Sequence, residues 1–275
     1  MVRLALAIAS RGSSSISRIS GWRRQAEVRE IELLHLEAIA RAKRTIYLEN
    51  QYFTAPVIAE ALALRLAEPD GPEVVLVSTQ RAPSWFDHST MDRTRSQALK
   101  RLREADAHDR FRAWCPVTRE GRTIIVHSKV SIIDDGFLRI GSANLNNRSA
   151  GFDTECDVSF HATSEEDSAA IARFRARLLG HFTSFSPSQI EETTREQGLV
   201  AAIEAALGSD RTHLAALPPD RMDPVSAFIA AYHIGDPIDP WDGWRPFLRK
   251  VRLERRLQRL RRSAAPAIQD ARNAV

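Results

Sequence analysis

One short stretch, His127 to Ser149, concentrates the side chains that could act on a phosphate ester. His127 and Lys129 stand two residues apart, and Ser142 and Asn144 repeat that spacing further along. Lysine supplies a point positive charge, while serine and asparagine supply neutral hydrogen-bond donors. A histidine titrates near neutral pH, so it can serve as nucleophile or as general acid and base. This set of side chains suits a phosphodiester.

A hairpin would bring these four side chains together. The β-branched run before Asp135-Gly136 and the apolar run after it predict two strands joined by a two-residue turn. Asp134 would then pair with Phe137, and alternation would put the four polar side chains on one face. Gly141 would leave room for a ligand beside the backbone. The predicted opposite pairs are Lys129 with Ser142 and His127 with Asn144.

The stretch resembles the phospholipase D superfamily motif H-x-K-x4-D-x6-G-S-x-N. It matches each defined position of that motif, at His127, Lys129, Asp134, Gly141, Ser142 and Asn144. The resemblance covers roughly residues 25 to 185 and looks like the second, C-terminal half of a two-motif bacterial phospholipase D. The motif is specific to the superfamily and not to a substrate, because members include phospholipases, transphosphatidylases, cardiolipin synthases, nucleases and a DNA-repair phosphodiesterase.

The resemblance implies roles for individual residues. In two-motif enzymes the second histidine is usually the acid and base, which would be His127 here, while the other forms a phosphohistidine. Glu155 would orient His127 by accepting a hydrogen bond from its ring. Asp134 would fix the hairpin or a cation. The phosphate oxygens would be held by Lys129, Ser142 and Asn144. No metal or other cofactor is implied, and the histidines and cysteines show no ligand spacing.

The sequence departs from the two-motif pattern because His-x-Lys occurs only once. Two interpretations follow. The chain is a half of a longer enzyme, whose other half carries the second motif, or it forms a homodimer that brings two copies of His127 together. The segment Ile46–Phe53 and the long C-terminal extension resemble the two-motif class and favour the first interpretation.

Strands alternating with helices predict a layered α/β fold, in which a mixed sheet is flanked by helices. We assign residues 1–185 to this phospholipase D-like half and residues 186–275 to a mostly helical extension. Glu49 and Asn50 follow a predicted strand, so they could support the site or only cap the strand. Trp85 and Phe86 could line a substrate entrance or anchor a loop. The other predicted strands are Leu4–Ala9, Thr45–Leu48, Val74–Ser78, Phe111–Val117, Thr123–Ile133 and Asp157–His161, and the helices include Gln25–Arg44, Ala55–Leu66, Thr90–Ala107 and Glu165–Leu179.

Composition places the chain among ordinary globular proteins, with 43% hydrophobic and 27% charged residues over 275 positions. Cys115 lies in an apolar run and is expected to be a buried thiol. Two cysteines make no disulfide framework, which fits a reducing cytosol. No segment is long and apolar enough to span a bilayer. We expect a cytoplasmic protein, with peripheral membrane association as an option.

The segment Arg249–Arg262 carries eight basic residues and one acid. Leu253, Leu257 and Leu260 recur there at helical spacing, which predicts a basic amphipathic helix. It could bind an anionic membrane, or it could pack its apolar face on the domain. Nucleic acid is less favoured, because the net charge of +4 leaves the rest of the chain acidic.

The sequence therefore predicts a phosphodiesterase that cleaves or exchanges phospholipid head groups. A dimeric nuclease of the same superfamily is one alternative. An inactive lipid-binding fragment is the other, since a second His-x-Lys is missing.

Overall fold

A computed structural model describes residues 3–9, 29–207, 213–218, 223–238 and 246–273. One eight-stranded mixed sheet organises these residues, in the order β1-β7-β6-β5-β2-β3-β4-β8. β2, β3 and β4 run parallel, and all other neighbours pair antiparallel. The strands are β1 (Arg3–Ala9), β2 (Thr45–Glu49), β3 (Glu73–Val77), β4 (Phe111–Pro116), β5 (Val130–Ile133), β6 (Phe137–Gly141), β7 (Glu155–His161) and β8 (Leu214–Ala216). The predicted layered mixed sheet is confirmed.

Helices cover both faces of the sheet. They are α1 (Glu30–Arg41), α2 (Pro56–Leu66), α3 (Trp85–Asp87), α4 (Arg93–Ala105), α5 (Asn147–Gly151), α6 (Glu165–Phe182), α7 (Pro187–Gln197), α8 (Leu199–Ala206), α9 (Pro224–Ala231) and α10 (Pro246–Asn273), with a π-helical turn at His88–Asp92 before α4. The predicted start of the first helix at Gln25 lies outside the described residues. The predicted single helix Thr90–Ala107 is instead this π turn followed by α4. Among the described helices, none combines the length and apolarity that crossing a bilayer requires.

Alternation along the strands builds two apolar cores. Ile46 and Leu48 of β2 face the core beneath α1, α2 and α4, while Tyr47 between them faces the core beneath α6 to α8. Lys129, one residue before β5, belongs by alternation with Ser131 on the α1 face, because Val130 points to the α6 face. Cys115 is buried, as predicted, and burial raises its pKa to about 11.

The hairpin of β5 and β6 differs from the predicted one by one residue in register. Ile133 pairs with Phe137, so the loop contains three residues instead of two. Asp134 and Asp135 both adopt left-handed backbone conformations, with φ of 52° and 55°, which aspartate tolerates better than most residues. As a result Gly141, and not Ser142, lies opposite Lys129, and the Gly141 amide donates to the Lys129 carbonyl at 3.1 Å.

Asp134 explains this register. Its carboxylate accepts hydrogen bonds from the backbone amides of Lys43, Arg44 and Thr45 at 2.6, 2.8 and 2.8 Å. Its own amide donates to the Thr45 carbonyl at 3.0 Å. Since these bonds hold Asp134 against the start of β2, it cannot pair with Phe137. Asp134 therefore fixes the hairpin at the end of β5 opposite to Lys129.

The predicted strand Thr123–Ile133 is also shorter than expected. Only Val130–Ile133 forms a strand, and Thr123 makes an isolated bridge to Val117. The segment between them leaves the sheet, and its apolar Ile124 and Ile125 are exposed. His127 therefore lies on a connecting segment and not in a strand.

In the described part of the C-terminal extension the regular elements are helices apart from β8, which pairs with β4 and so joins the sheet of residues 1–185. In α10, Leu253 is buried against Val57 and Ile238, and Leu257 and Leu260 pack on the same cluster. The leucine stripe of the predicted amphipathic helix is therefore covered by the protein itself. The division into two parts at residue 185 stays a prediction.

Candidate active site

Lys129 is the centre of the candidate site. Only 6% of the residue is exposed. Its ammonium donates to the His127 carbonyl at 2.9 Å and reaches the amide oxygen of Gln51 at 3.5 Å. Among the described residues no carboxylate forms an ion pair with it, and burial lowers its pKa while the nearby Glu155 charge opposes that shift. A buried cation with so few partners is a favourable place for an anion.

Ser142 and Glu155 form a pair beside this cation. The Ser142 hydroxyl donates to Glu155 Oε2 at 2.5 Å and accepts from the Cys156 amide at 2.9 Å. The Ser142 amide donates in turn to the Cys156 carbonyl at 3.1 Å. Ser142 is attached to β7, because it continues the β6 ladder with that strand by one residue. Ser142 is nevertheless exposed, so its oxygen can contact a ligand.

The predicted contact between Glu155 and His127 is absent from the structure. Glu155 accepts from Ser142, and the His127 ring is exposed with no hydrogen-bond partner among the described residues. The physical reason is that His127 precedes β5 by three residues, on a segment that has left the sheet. The structure thus joins Ser142 to Glu155 by a hydrogen bond and places Lys129 where the Glu155 charge acts on it. His127 is joined to Lys129 through its backbone carbonyl, and its ring is exposed.

Asn144 is half-buried, and its buried side-chain oxygen has no hydrogen-bond partner within the part of the chain that the structure describes. The neighbouring Leu145 amide donates to the side-chain oxygen of Asn50 at 3.1 Å, and the described residues likewise offer no partner to the Asn50 side-chain nitrogen. Asn50 therefore supports the loop that carries Asn144. The unpaired Asn50 nitrogen can donate to a polar ligand, whereas the unpaired Asn144 oxygen can only accept, so an anion would have to bind the side-chain nitrogen of Asn144.

Glu49 lies under the motif from the other face of the sheet. Its buried carboxylate accepts from the hydroxyls of Ser128, at 2.6 Å, and Tyr47. Burial raises the pKa of Glu49, while these hydroxyls oppose that shift. Because Ser128 stands between His127 and Lys129, Glu49 positions the motif backbone without touching the motif side chains. Glu49 and Asn50 therefore both support the site, each through a neighbouring residue.

A buried ion pair holds the Gly141–Asn144 loop. Arg139 and Asp157 are both fully buried, and Arg139 Nε donates to Asp157 at 2.9 Å. Arg139 also donates to the Ala143 carbonyl at 2.8 Å, while Asp157 accepts from the Ala143 amide at 3.2 Å. A Cβ added to Gly141 would lie 1.7 Å from Asp157 Oδ1. Gly141 is therefore required by Asp157, and the prediction that it leaves room for a ligand is wrong.

Sequence reasoning missed three parts of this arrangement. Gln51 follows Glu49 and Asn50 directly, so the strand end could have indicated it. Asp157 lies two residues after Glu155, at the start of a predicted strand, so the alternation of side chains could also have indicated it. No local pattern indicates Asp236, because it lies far along the chain from the residues that it contacts. Its buried carboxylate accepts from Thr54 Oγ1 at 2.7 Å and from the Asn147 and Arg148 amides at 2.9 and 3.1 Å.

Residues 35–178 match the family described as "Cardiolipin synthase, PLD-like domain". Among functionally curated proteins none is similar enough to count as a relative. Similar solved structures include the phospholipase D family member Nuc from Salmonella typhimurium, at 19% identity and a TM-score of 0.44, covering 65% of this chain and 95% of that one. NucT from Helicobacter pylori has 16% identity and a TM-score of 0.43, covering 65% and 96%.

Phosphatidylserine synthase from Haemophilus influenzae Rd KW20 is similar at 10% identity and a TM-score of 0.47, covering 74% of this chain and 47% of that one. The family match spans more than half of the 275 residues and contains the whole hairpin with its His-x-Lys motif. The chain therefore belongs to the PLD-like family of the phospholipase D superfamily, whose members are phosphodiesterases and phosphotransferases.

Proposed function

We propose that the protein is a phospholipase D-type phosphodiesterase that cleaves or exchanges the head group of phospholipids. The observation that carries this proposal is Lys129, a buried ammonium without a carboxylate partner among the described residues. Its charge interacts with that of Glu155, which accepts the hydrogen bond of the Ser142 hydroxyl. A phosphodiester anion would neutralise Lys129 and accept from the side-chain nitrogen of Asn144. It would also accept from the Ser142 hydroxyl once that group turns away from Glu155. Such charge-assisted bonds strengthen as charge develops on the phosphoryl oxygens.

The chemistry needs two histidines. One attacks phosphorus, forming a P–N bond and breaking the P–O bond to the head-group alcohol, and the other donates the proton that this alcohol takes up. Water or a second alcohol then gives a proton back to that histidine and displaces the phosphorus from the first. The chain offers His127 in the motif and no second His-x-Lys. The partner histidine therefore comes from the other half of a longer enzyme or from a second copy of the chain.

Head-group release from phosphatidylcholine vesicles tests this proposal. His127→Asn should lower the rate by about 10³-fold, the usual contribution of an acid–base or nucleophilic side chain. His108→Asn is the matched control, since His108 is exposed on a loop outside the motif, and it should keep the wild-type rate. If two copies share the site, the rate per chain should rise with chain concentration. Equal rates for wild type and His127→Asn would refute the proposed role.

The single His-x-Lys favours one alternative of a different class, a lipid-binding protein without turnover. That alternative predicts vesicle binding by wild type and His127→Asn alike and no head-group release from either. A superfamily nuclease would instead cleave DNA with a rate that falls steeply as salt rises. The same preparations therefore separate the three activities.

A further inference from the structure

Two neighbouring helices present an apolar surface that the active site does not use. On α9, Val225 and Phe228 are exposed and lie on the same side as Tyr232, which follows the helix. On α10, Phe247 is 69% exposed and Val251, one turn later, is 43% exposed. We call these five residues the aromatic patch.

Ring contacts join the two halves of the aromatic patch. The Phe228 and Tyr232 rings lie 4.6 Å apart, and the Tyr232 and Phe247 rings 5.4 Å apart in an edge arrangement. The Lys250 ammonium lies 5.6 Å from the centre of the Tyr232 ring. The aromatic patch is thus one surface with a cation at its margin.

Basic side chains continue the outward face of α10. Phe247, Val251 and Arg255 are spaced by four residues, so they share one side of the helix. Arg255, Arg259 and Arg262 are exposed on this side, with one acid, Glu254, beside them. The opposite side is fixed to the protein, because the buried Arg249 donates to the Tyr232 and His233 carbonyls at 2.6 and 2.7 Å.

We propose that the aromatic patch and the arginines of α10 form a docking surface for an anionic phospholipid bilayer. Apolar and aromatic side chains flanked by arginine on one face are the composition of interfacial membrane-binding helices. A two-fold dimer whose axis passes near Arg255 to Arg262 would bring the arginines of two copies together, which like-charge repulsion disfavours. This surface differs from the leucine stripe of α10, which the protein covers.

A buried contact links the docking surface to the active site. Asp236, shortly after α9, accepts from the Asn147 and Arg148 amides at the start of α5, three residues beyond Asn144. Docking would therefore hold the site at the lipid surface. The role of docking in catalysis rests on the proposed function, whereas binding to the bilayer does not.

Vesicle co-sedimentation tests the inference, with phosphatidylcholine alone or mixed with phosphatidylglycerol. Wild type should bind the mixed vesicles more tightly. Phe247→Ser with Val251→Ser should weaken binding about tenfold or more, because two apolar side chains leave the interface. Leu33→Ser is the matched control, since Leu33 on α1 is 61% exposed outside the docking surface, and it should bind like wild type.

A charge variant tests the second component. Replacing Arg255, Arg259 and Arg262 with glutamine should weaken binding to the mixed vesicles on the order of a hundredfold and reduce its salt dependence. All these positions are exposed, so the unfolding midpoints should match wild type. No preference of wild type for phosphatidylglycerol, or wild-type binding by the Phe247 and Val251 variant, would overturn the proposal. The proposal would also be overturned if wild type bound no vesicles but self-associated, and the Phe247 and Val251 variant lost that self-association.

Hydrolysis of bis(p-nitrophenyl) phosphate, which involves no vesicle, separates this inference from the proposed function. The Phe247 and Val251 variant should hydrolyse it at the wild-type rate while losing vesicle binding. His127→Asn should do the opposite. Failure of either proposal is therefore visible independently of the other.

Discussion

Gly141→Ala should destabilise the protein by breaking its buried ion pair. The new Cβ would lie 1.7 Å from Asp157 Oδ1 and 2.7 Å from Asp157 Cα, so rotating the carboxylate is not enough and β6 and β7 must separate. Arg139 and Asp157 are both fully buried, and Asp157 also holds the Ala143 amide. Breaking a buried ion pair costs about 3–5 kcal/mol, which sets the expected loss in the free energy of unfolding.

Urea unfolding followed by circular dichroism measures this loss. With an m value near the upper end for small proteins, the midpoint should fall by about 1–2 M. Gly136→Ala is the matched control in the same hairpin, because a Cβ there meets nothing closer than 4.0 Å. It should change stability by less than about 0.5 kcal/mol. A loss below about 1 kcal/mol for Gly141→Ala would refute the reasoning, since it would mean that the buried ion pair survives the added methyl group.

Three further predictions concern buried titratable groups. Lys129→Met should abolish turnover and raise the free energy of unfolding, measured in urea, by about 1 kcal/mol. The reason is that it removes a buried cation that has no carboxylate partner among the described residues. A loss of stability would contradict this. Burial raises the pKa of Asp236 to about 6 from its usual 3.8, so the folded state holds more protons between these values. The free energy of unfolding should therefore fall by about 2 kcal/mol from pH 4 to pH 6 on account of this group, and the Asp236→Asn curve should lack that fall, whereas parallel curves would count against it. A thiol reagent should label one cysteine per native chain, Cys156 and not the buried Cys115, and two after denaturation; rapid native labelling of both would be inconsistent with the fold.

The sheet and its flanking helices could be predicted from the sequence, because the pattern of apolar residues within each segment determines them. Alternating apolar residues along β2 face two cores, and the β-branched run of β5 favours a strand. The register of the hairpin did not follow, because Asp134 is held by the backbone amides of Lys43 to Thr45, about ninety positions earlier in the chain. A turn signal read locally contains no information about such a contact.

The candidate site likewise contains some features that the sequence predicted and others that it did not. Lys129 and Ser142 were predicted close together, and the structure places both beside Glu155. The prediction that Glu155 contacts His127 was wrong, because the residues before Val130 leave the sheet and place His127 at the edge of the site. Asp236 could not be predicted, since its role depends on where α9 packs and not on any local pattern.

The central claim is that His127 acts chemically on a phosphodiester bound at Lys129. The most direct test is the rate of bis(p-nitrophenyl) phosphate hydrolysis by wild type and His127→Asn, measured over a range of chain concentrations. We predict hydrolysis by wild type that falls about 10³-fold in His127→Asn. Hydrolysis retained at the wild-type rate in His127→Asn, or none by wild type at any chain concentration, would contradict the claim.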